Sequence, residues 1–95
     1  MAEDLFKKDK YYTYPFIDYI YEKRYKEIQD FLGVSDMKDE DLLVFIVQSV
    51  CDSEYRKTMN ISEDLARIIV NVSINALEDI GKNTCHLDAL VADNF

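Results

Sequence analysis

The sequence predicts an all-α fold, a compact bundle of three main helices with room for a short fourth and an N-terminal tyrosine-rich arm. Apolar residues recur at helical spacing over long windows, and acidic or small polar residues stand where such windows begin. Only two Gly and one Pro interrupt the 95 residues. Without an extended Gly/Pro/Ser-rich linker, residues 1–95 are expected to form one domain, near the lower size at which a core suffices without cross-links.

The first helix is expected over about 15–32. Proline suits its first turn because the missing amide would lack an intrahelical partner anyway, and Gly33 supplies a stop. At 100° per residue, Phe16, Ile17, Ile20, Tyr21, Tyr25, Ile28, Phe31 and Leu32 cover one arc. Asp18, Glu22, Lys26, Gln29 and Asp30 lie opposite. Arg24 falls between Phe31 and Ile17, inside the apolar arc, where a guanidinium needs a carboxylate or a route to solvent. Glu27, three residues on, is one such carboxylate.

The second helix is expected over about 38–56, starting within Ser35-Asp36-Met37-Lys38-Asp39-Glu40-Asp41, where side chains cap free amides and oppose the helix dipole. The run Leu42 to Val47 has no polar face, so Val44 to Val47 would also suit a buried strand. The acidic start and the length of the pattern to Tyr55 favour helix.

The third helix, about 61–80, begins near Asn60 or Ser62, with Asn60 and Glu63 at capping-box spacing, and stops near Gly81. Its apolar residues cover about two thirds of the wheel, leaving Arg67, Asn71, Asn75 and Glu78 as the polar strip. Partners are therefore expected on most sides. Residues 86–92 allow a short fourth helix.

Composition excludes several function classes. Two glycines cannot build a phosphate-binding glycine loop or a dinucleotide fingerprint. Cys85 and His86 are neighbours, which neither makes a zinc site nor positions a catalytic thiol against its base. The acidic residues at 36–41 lack the spacing and turn glycine of a calcium loop. No catalytic, metal or cofactor residue is nominated, and the protein is not expected to be an enzyme. Cys51 and Cys85 are expected to be reduced core residues. Asn60-Ile61-Ser62 and Asn71-Val72-Ser73 match the glycosylation sequon by chance. No stretch is long and apolar enough to span a bilayer or serve as an export signal, so cytoplasmic residence is expected.

The remaining signals concern binding. Six of the seven tyrosines lie between Tyr11 and Tyr25; the tyrosine ring combines apolar contact with a hydroxyl and has few torsions to freeze. Tyr11, Tyr12, Tyr14 and Tyr19, with Arg24, are nominated as a partner-binding surface. The net charge is −8. It is uneven: residues 5–26 carry +3 and residues 27–95 carry −9. Nucleic acid is thus an unfavoured partner, despite the stacking that Tyr11, Tyr12 and Tyr14 offer.

Asp36, Asp39, Glu40 and Asp41 form a second nominated surface, suited to a basic partner. In size, acidity and helical pattern the chain resembles small acidic helical immunity proteins, although no diagnostic motif of such a family is present. The expected function is inhibition by binding, as an immunity protein, antitoxin or phage-encoded antagonist covers a larger basic target. The alternative is a structural or regulatory homodimer, held by the surplus apolar surface of the second and third helices, with Ile68 and Val72 at the interface.

Overall fold

A proline fixes its own φ and donates no amide hydrogen bond, and the first helix does start at Pro15. The computed structural model describes residues 5–8, 10–34 and 36–95. Among these are six α-helices and no strand: α1 (Pro15–Tyr21), α2 (Tyr25–Leu32), α3 (Asp39–Cys51), α4 (Ser53–Met59), α5 (Glu63–Asp79) and α6 (Cys85–Asn94). The all-α expectation holds, whereas two of the three long helices are each divided.

The helix expected over 15–32 breaks at Glu22–Arg24. Lys23 takes a left-handed φ of 58°, and the Arg24 amide donates back to the Tyr19 carbonyl at 2.9 Å. This is the hydrogen-bonding pattern of a helix C-terminus, made here without glycine. The break also overturns the wheel position of Arg24. Its side chain is exposed, paired with Glu22 at 3.3 Å and Glu27 at 3.6 Å, and its guanidinium lies 4.1 Å from the centre of the Tyr19 ring. Gly33 ends α2 as expected, with φ 73°.

The helix expected over 38–56 breaks at Asp52, which is extended and accepts a hydrogen bond from the Glu54 amide at 2.9 Å as the N-cap of α4. Arg56 donates to the Val50 carbonyl at 2.7 Å, satisfying an acceptor at the end of α3. Residues 44–47 are helical, and the strand alternative is excluded. No side chain caps α3, whose N-cap position is Lys38; Asp39, Glu40 and Asp41 in its first turn oppose the dipole instead. Ser35, one of the capping candidates, lies outside the described residues.

Ser62, not Asn60, caps α5, accepting from the Leu65 amide at 3.1 Å. Asn60 ends α4 with φ 59°. Beyond α5, Gly81 has φ 80°, and the Lys82 amide closes on the Leu77 carbonyl at 3.0 Å. The fourth helix is longer than the 86–92 expected.

The core follows from α3 and α5, which pack most extensively on each other; α1 lies on α5, and α4 and α6 lie on α3. Leu42, Leu43, Ile46, Val47, Val50 and Cys51 of α3 are all buried. Its unbroken apolar run is thus explained by neighbours on nearly every side, and Arg67, Asn71, Asn75 and Glu78 of α5 are exposed as the wheel predicts. The radius of gyration is 12.6 Å, close to the value of about 12 Å for a compact chain of this length.

The N-terminal arm, expected over 1–14, is anchored to the core through Leu5 and Phe6. Leu5 and Phe6 are buried, the Phe16 amide donates to the Leu5 carbonyl at 3.1 Å, and the Phe6 ring packs 5.0 Å from Phe16 and 5.3 Å from Phe31. Residues 1–4 and Asp9 of that segment lie outside the described residues.

Candidate functional site

Four residues along an α-helix bring a side chain back to nearly the same face. On α5 this spacing aligns Val72 with Ala76, and Asn75 with Asp79; on α3 it aligns Asp39 with Leu43. These two faces meet the break between α1 and α2 to form a groove of about 320 Å³. The end of α1 contributes Ile20 and Tyr21, the turn contributes Lys23, α2 contributes Tyr25, and Ile80 follows α5. Leu43 and Val72 are buried and make an apolar floor, while Tyr21 and Ile80 are 70% and 50% exposed at the edge.

Two carboxylates, Asp39 and Asp79, face this groove from different helices. Neither forms an ion pair with a described residue, nor does Lys23. Their charge is felt at Tyr25: burial pushes its hydroxyl above the ordinary value of 10, and Asp39 and then Asp79 push it further in the same direction. A phenolate there would be both poorly solvated and beside like charge. Tyr25 is consequently a neutral hydrogen-bonding group at any ordinary pH.

The nominated acidic residues divide in the structure. Glu40 is engaged by Lys82, whose ammonium holds its carboxyl below the usual range by hydrogen bonding and charge. Asp36, Asp39 and Asp41 are exposed and form no ion pair with described residues. Only Asp39 among the four lines the groove.

The nominated tyrosines lie elsewhere. Tyr11 and Tyr12 are 71% and 82% exposed before α1, and Tyr14 and Tyr19 are half-buried against the core. Cations of the chain itself lie on three of these rings: Lys10 at 5.1 Å from Tyr11, Lys8 at 5.7 Å from Tyr14, and Arg24 on Tyr19. Seven helical residues rise about 10 Å, so α1 separates Tyr11, Tyr12 and Tyr14 from the groove at its other end. Tyr19 and Tyr21 point to opposite sides of that helix, being two residues apart.

Of the self-association pair, Ile68 is 41% exposed and Val72 only 7%. Val72 is spent largely within the chain. Sequence reasoning missed Tyr21, Tyr25, Asn75, Asp79 and Ile80 as groove residues. Tyr21 and Tyr25 had been absorbed into a continuous apolar arc, and the i,i+4 pair Asn75 and Asp79 was the signal available on α5.

A second hollow, about 390 Å³, lies between α4 and α5 beside Arg56, Lys57 and Ser62. Its chemistry is already engaged: Arg56 serves the Val50 carbonyl and stacks 4.9 Å from the Phe95 ring, and Ser62 caps its own helix. Cys51 is buried and Cys85 exposed, both unbridged. Burial holds the Cys51 thiol above its ordinary pKa, against a smaller opposing effect of Arg56, so it is a packing residue rather than an activated thiolate. No group of three or more metal-ligating side chains occurs among the described residues, and none of their helices is long and apolar enough to cross a membrane. No family model matches the chain, and no curated protein or solved structure matches it.

Proposed function

We propose that this chain is a small, non-catalytic protein inhibitor of the immunity-protein, antitoxin or phage-encoded antagonist type, which binds and blocks a larger, basic or nucleic-acid-handling target in the cytoplasm. The observation that carries this reading is the pair of carboxylates, Asp39 at the start of α3 and Asp79 at the end of α5, which border one apolar groove and form no ion pairs with described residues; Asp36 and Asp41 add further unpaired charge around the start of α3. Carboxylates displayed in this way offer a nucleic-acid-binding cleft the charge it ordinarily meets in phosphates. Long-range attraction accelerates encounter, and the apolar groove supplies contact area once the charges have aligned the two surfaces.

The test is affinity capture from native cells at moderate salt with mass spectrometry, followed by an activity assay of whatever is recovered. Recovery of one basic nuclease, toxin or nucleic-acid-processing enzyme at a fixed ratio, inactive in the complex, supports the reading. Recovery of the chain alone, dimeric by light scattering, favours the homodimer alternative. That second reading draws on Ile68, an apolar side chain left exposed on the longest helix.

A further inference from the structure

We infer that the groove between α1, α3 and α5 is the seat of one arginine side chain of the partner, presented by a segment with an apolar residue beside it. This rests on the protein-binding reading above and specifies its chemistry. Asp39 and Asp79 approach the groove from two different helices, and neither forms an ion pair with a cation among the described residues. A cation placed between them gains attraction from both. Guanidinium fits better than ammonium because it is planar, donates in several directions and stacks on aromatic faces, and both Tyr21 and Tyr25 line the groove. Leu43 and Val72 provide the floor for the methylene stem, and exposed Ile80 is placed to meet the neighbouring apolar residue.

The volume is at the small end of the range for ligand pockets, suited to a side chain rather than a larger molecule. The chain's own Lys23 does not fill it as a counter-ion, since it pairs with neither carboxylate. A second copy is a poor occupant: each carries −8, and Lys8 and Lys10 of its N-terminal segment already lie on its own tyrosines. Charge complementarity therefore selects a basic partner.

The experiment is a titration of isotope-labelled full-length protein at low ionic strength, followed by backbone amide resonances. The probe is the blocked tripeptide acetyl-Leu-Arg-Leu-amide, with its citrulline counterpart, equal in shape and uncharged, as control. The expected result is saturable shifts at Tyr21, Tyr25, Asp39, Asp79 and Ile80, with a Kd on the order of 1 mM, weakened at least about tenfold for citrulline. The double variant Asp39→Asn, Asp79→Asn is expected to lose this response while its remaining amide spectrum and thermal unfolding stay close to those of the parent. Equal response to the two tripeptides, shifts centred away from the groove, or an undiminished response in a folded double variant overturns the inference.

Capture with the same double variant separates the two proposals. A partner bound as tightly by the variant as by the parent, with no tripeptide response, removes the arginine seat and leaves the inhibitor reading standing. A clear tripeptide response from a protein that captures nothing removes the inhibitor reading and leaves the groove chemistry.

Discussion

Tyr25 shows how one side chain reports the electrostatics of the groove. Its hydroxyl is raised above 10 by burial first and by Asp39 and Asp79 second, so the folded state holds the phenol proton more tightly than the unfolded chain. Stability from this source is complete below the unfolded value and declines as pH rises through the folded one, because the native state then binds more protons than the unfolded state. Tyr55, raised by burial alone, contributes in the same direction. Alkaline unfolding followed by circular dichroism is therefore expected to set in above pH 10, and Tyr25→Phe to make the molecule less sensitive to alkali. The tyrosinate absorbance of Asp39→Asn should titrate lower than that of the parent, since one of the two opposing charges is gone. An unchanged titration would mean that the Asp39 charge does not act on the Tyr25 proton. None of this was visible in the sequence, where Tyr25 was one apolar point on a helical wheel and Asp79 was unremarked; their meeting depends on the break after α1, which packs on α5, and on the turn of α2 toward α3.

At the scale of elements, legibility followed local chemistry. Pro15, Gly33 and Gly81 mark boundaries because their backbone preferences are independent of the surroundings, and the polar strip of α5 is set by periodicity. The break at Asp52 carried a readable signal, an acidic cap followed by Ser53 and Glu54, outweighed by the apolar periodicity continuing to Tyr55. The break at Glu22–Arg24 carried none: Lys23 adopts the left-handed conformation that glycine or asparagine normally supplies. Once that residue turns the chain, every later position on the wheel shifts, which is why Arg24 emerges to pair with Glu22 and Glu27. Two of the left-handed positions, Gly33 and Lys23, give opposite expectations. Gly33→Ala should destabilise by about 1 kcal/mol through backbone strain, since nothing lies within 4 Å of the added methyl group. Lys23→Gly should relieve the same strain and stabilise by up to about 1 kcal/mol. Denaturant unfolding of both variants checks the pair; a destabilised Lys23→Gly would show that the lysine side chain supports the break.

For the whole molecule, the question is whether the apolar surface anticipated from α3 and α5 is left over for a partner copy. Their long apolar runs suggested surplus because a helix covered on one side cannot hide two thirds of its circumference. Division of the first two expected helices supplies more covering elements, with α1 closing on α5 and α4 on α3; the fourth expected helix, α6, closes on α3 as well. Val72 is consequently buried at 7%, while Ile68, one turn earlier, remains 41% exposed. The two residues nominated together should therefore respond differently to charge. Val72→Asp places a carboxylate at the groove floor, beside Asp39 and Asp79, and should unfold the protein or destabilise it by about 3 kcal/mol or more. Ile68→Asp should change stability by no more than about 0.5 kcal/mol, as at an ordinary surface position. Thermal unfolding and light scattering of the two variants decide between a self-contained chain and an obligate assembly. If Ile68→Asp unfolds as cooperatively as the parent and both scatter as monomers, the fold is complete within one chain and the acidic groove is open to a different protein. If Ile68→Asp lowers both mass and stability, the exposed isoleucine belongs to a copy-to-copy interface, and the groove beside it must be reconsidered within that dimer.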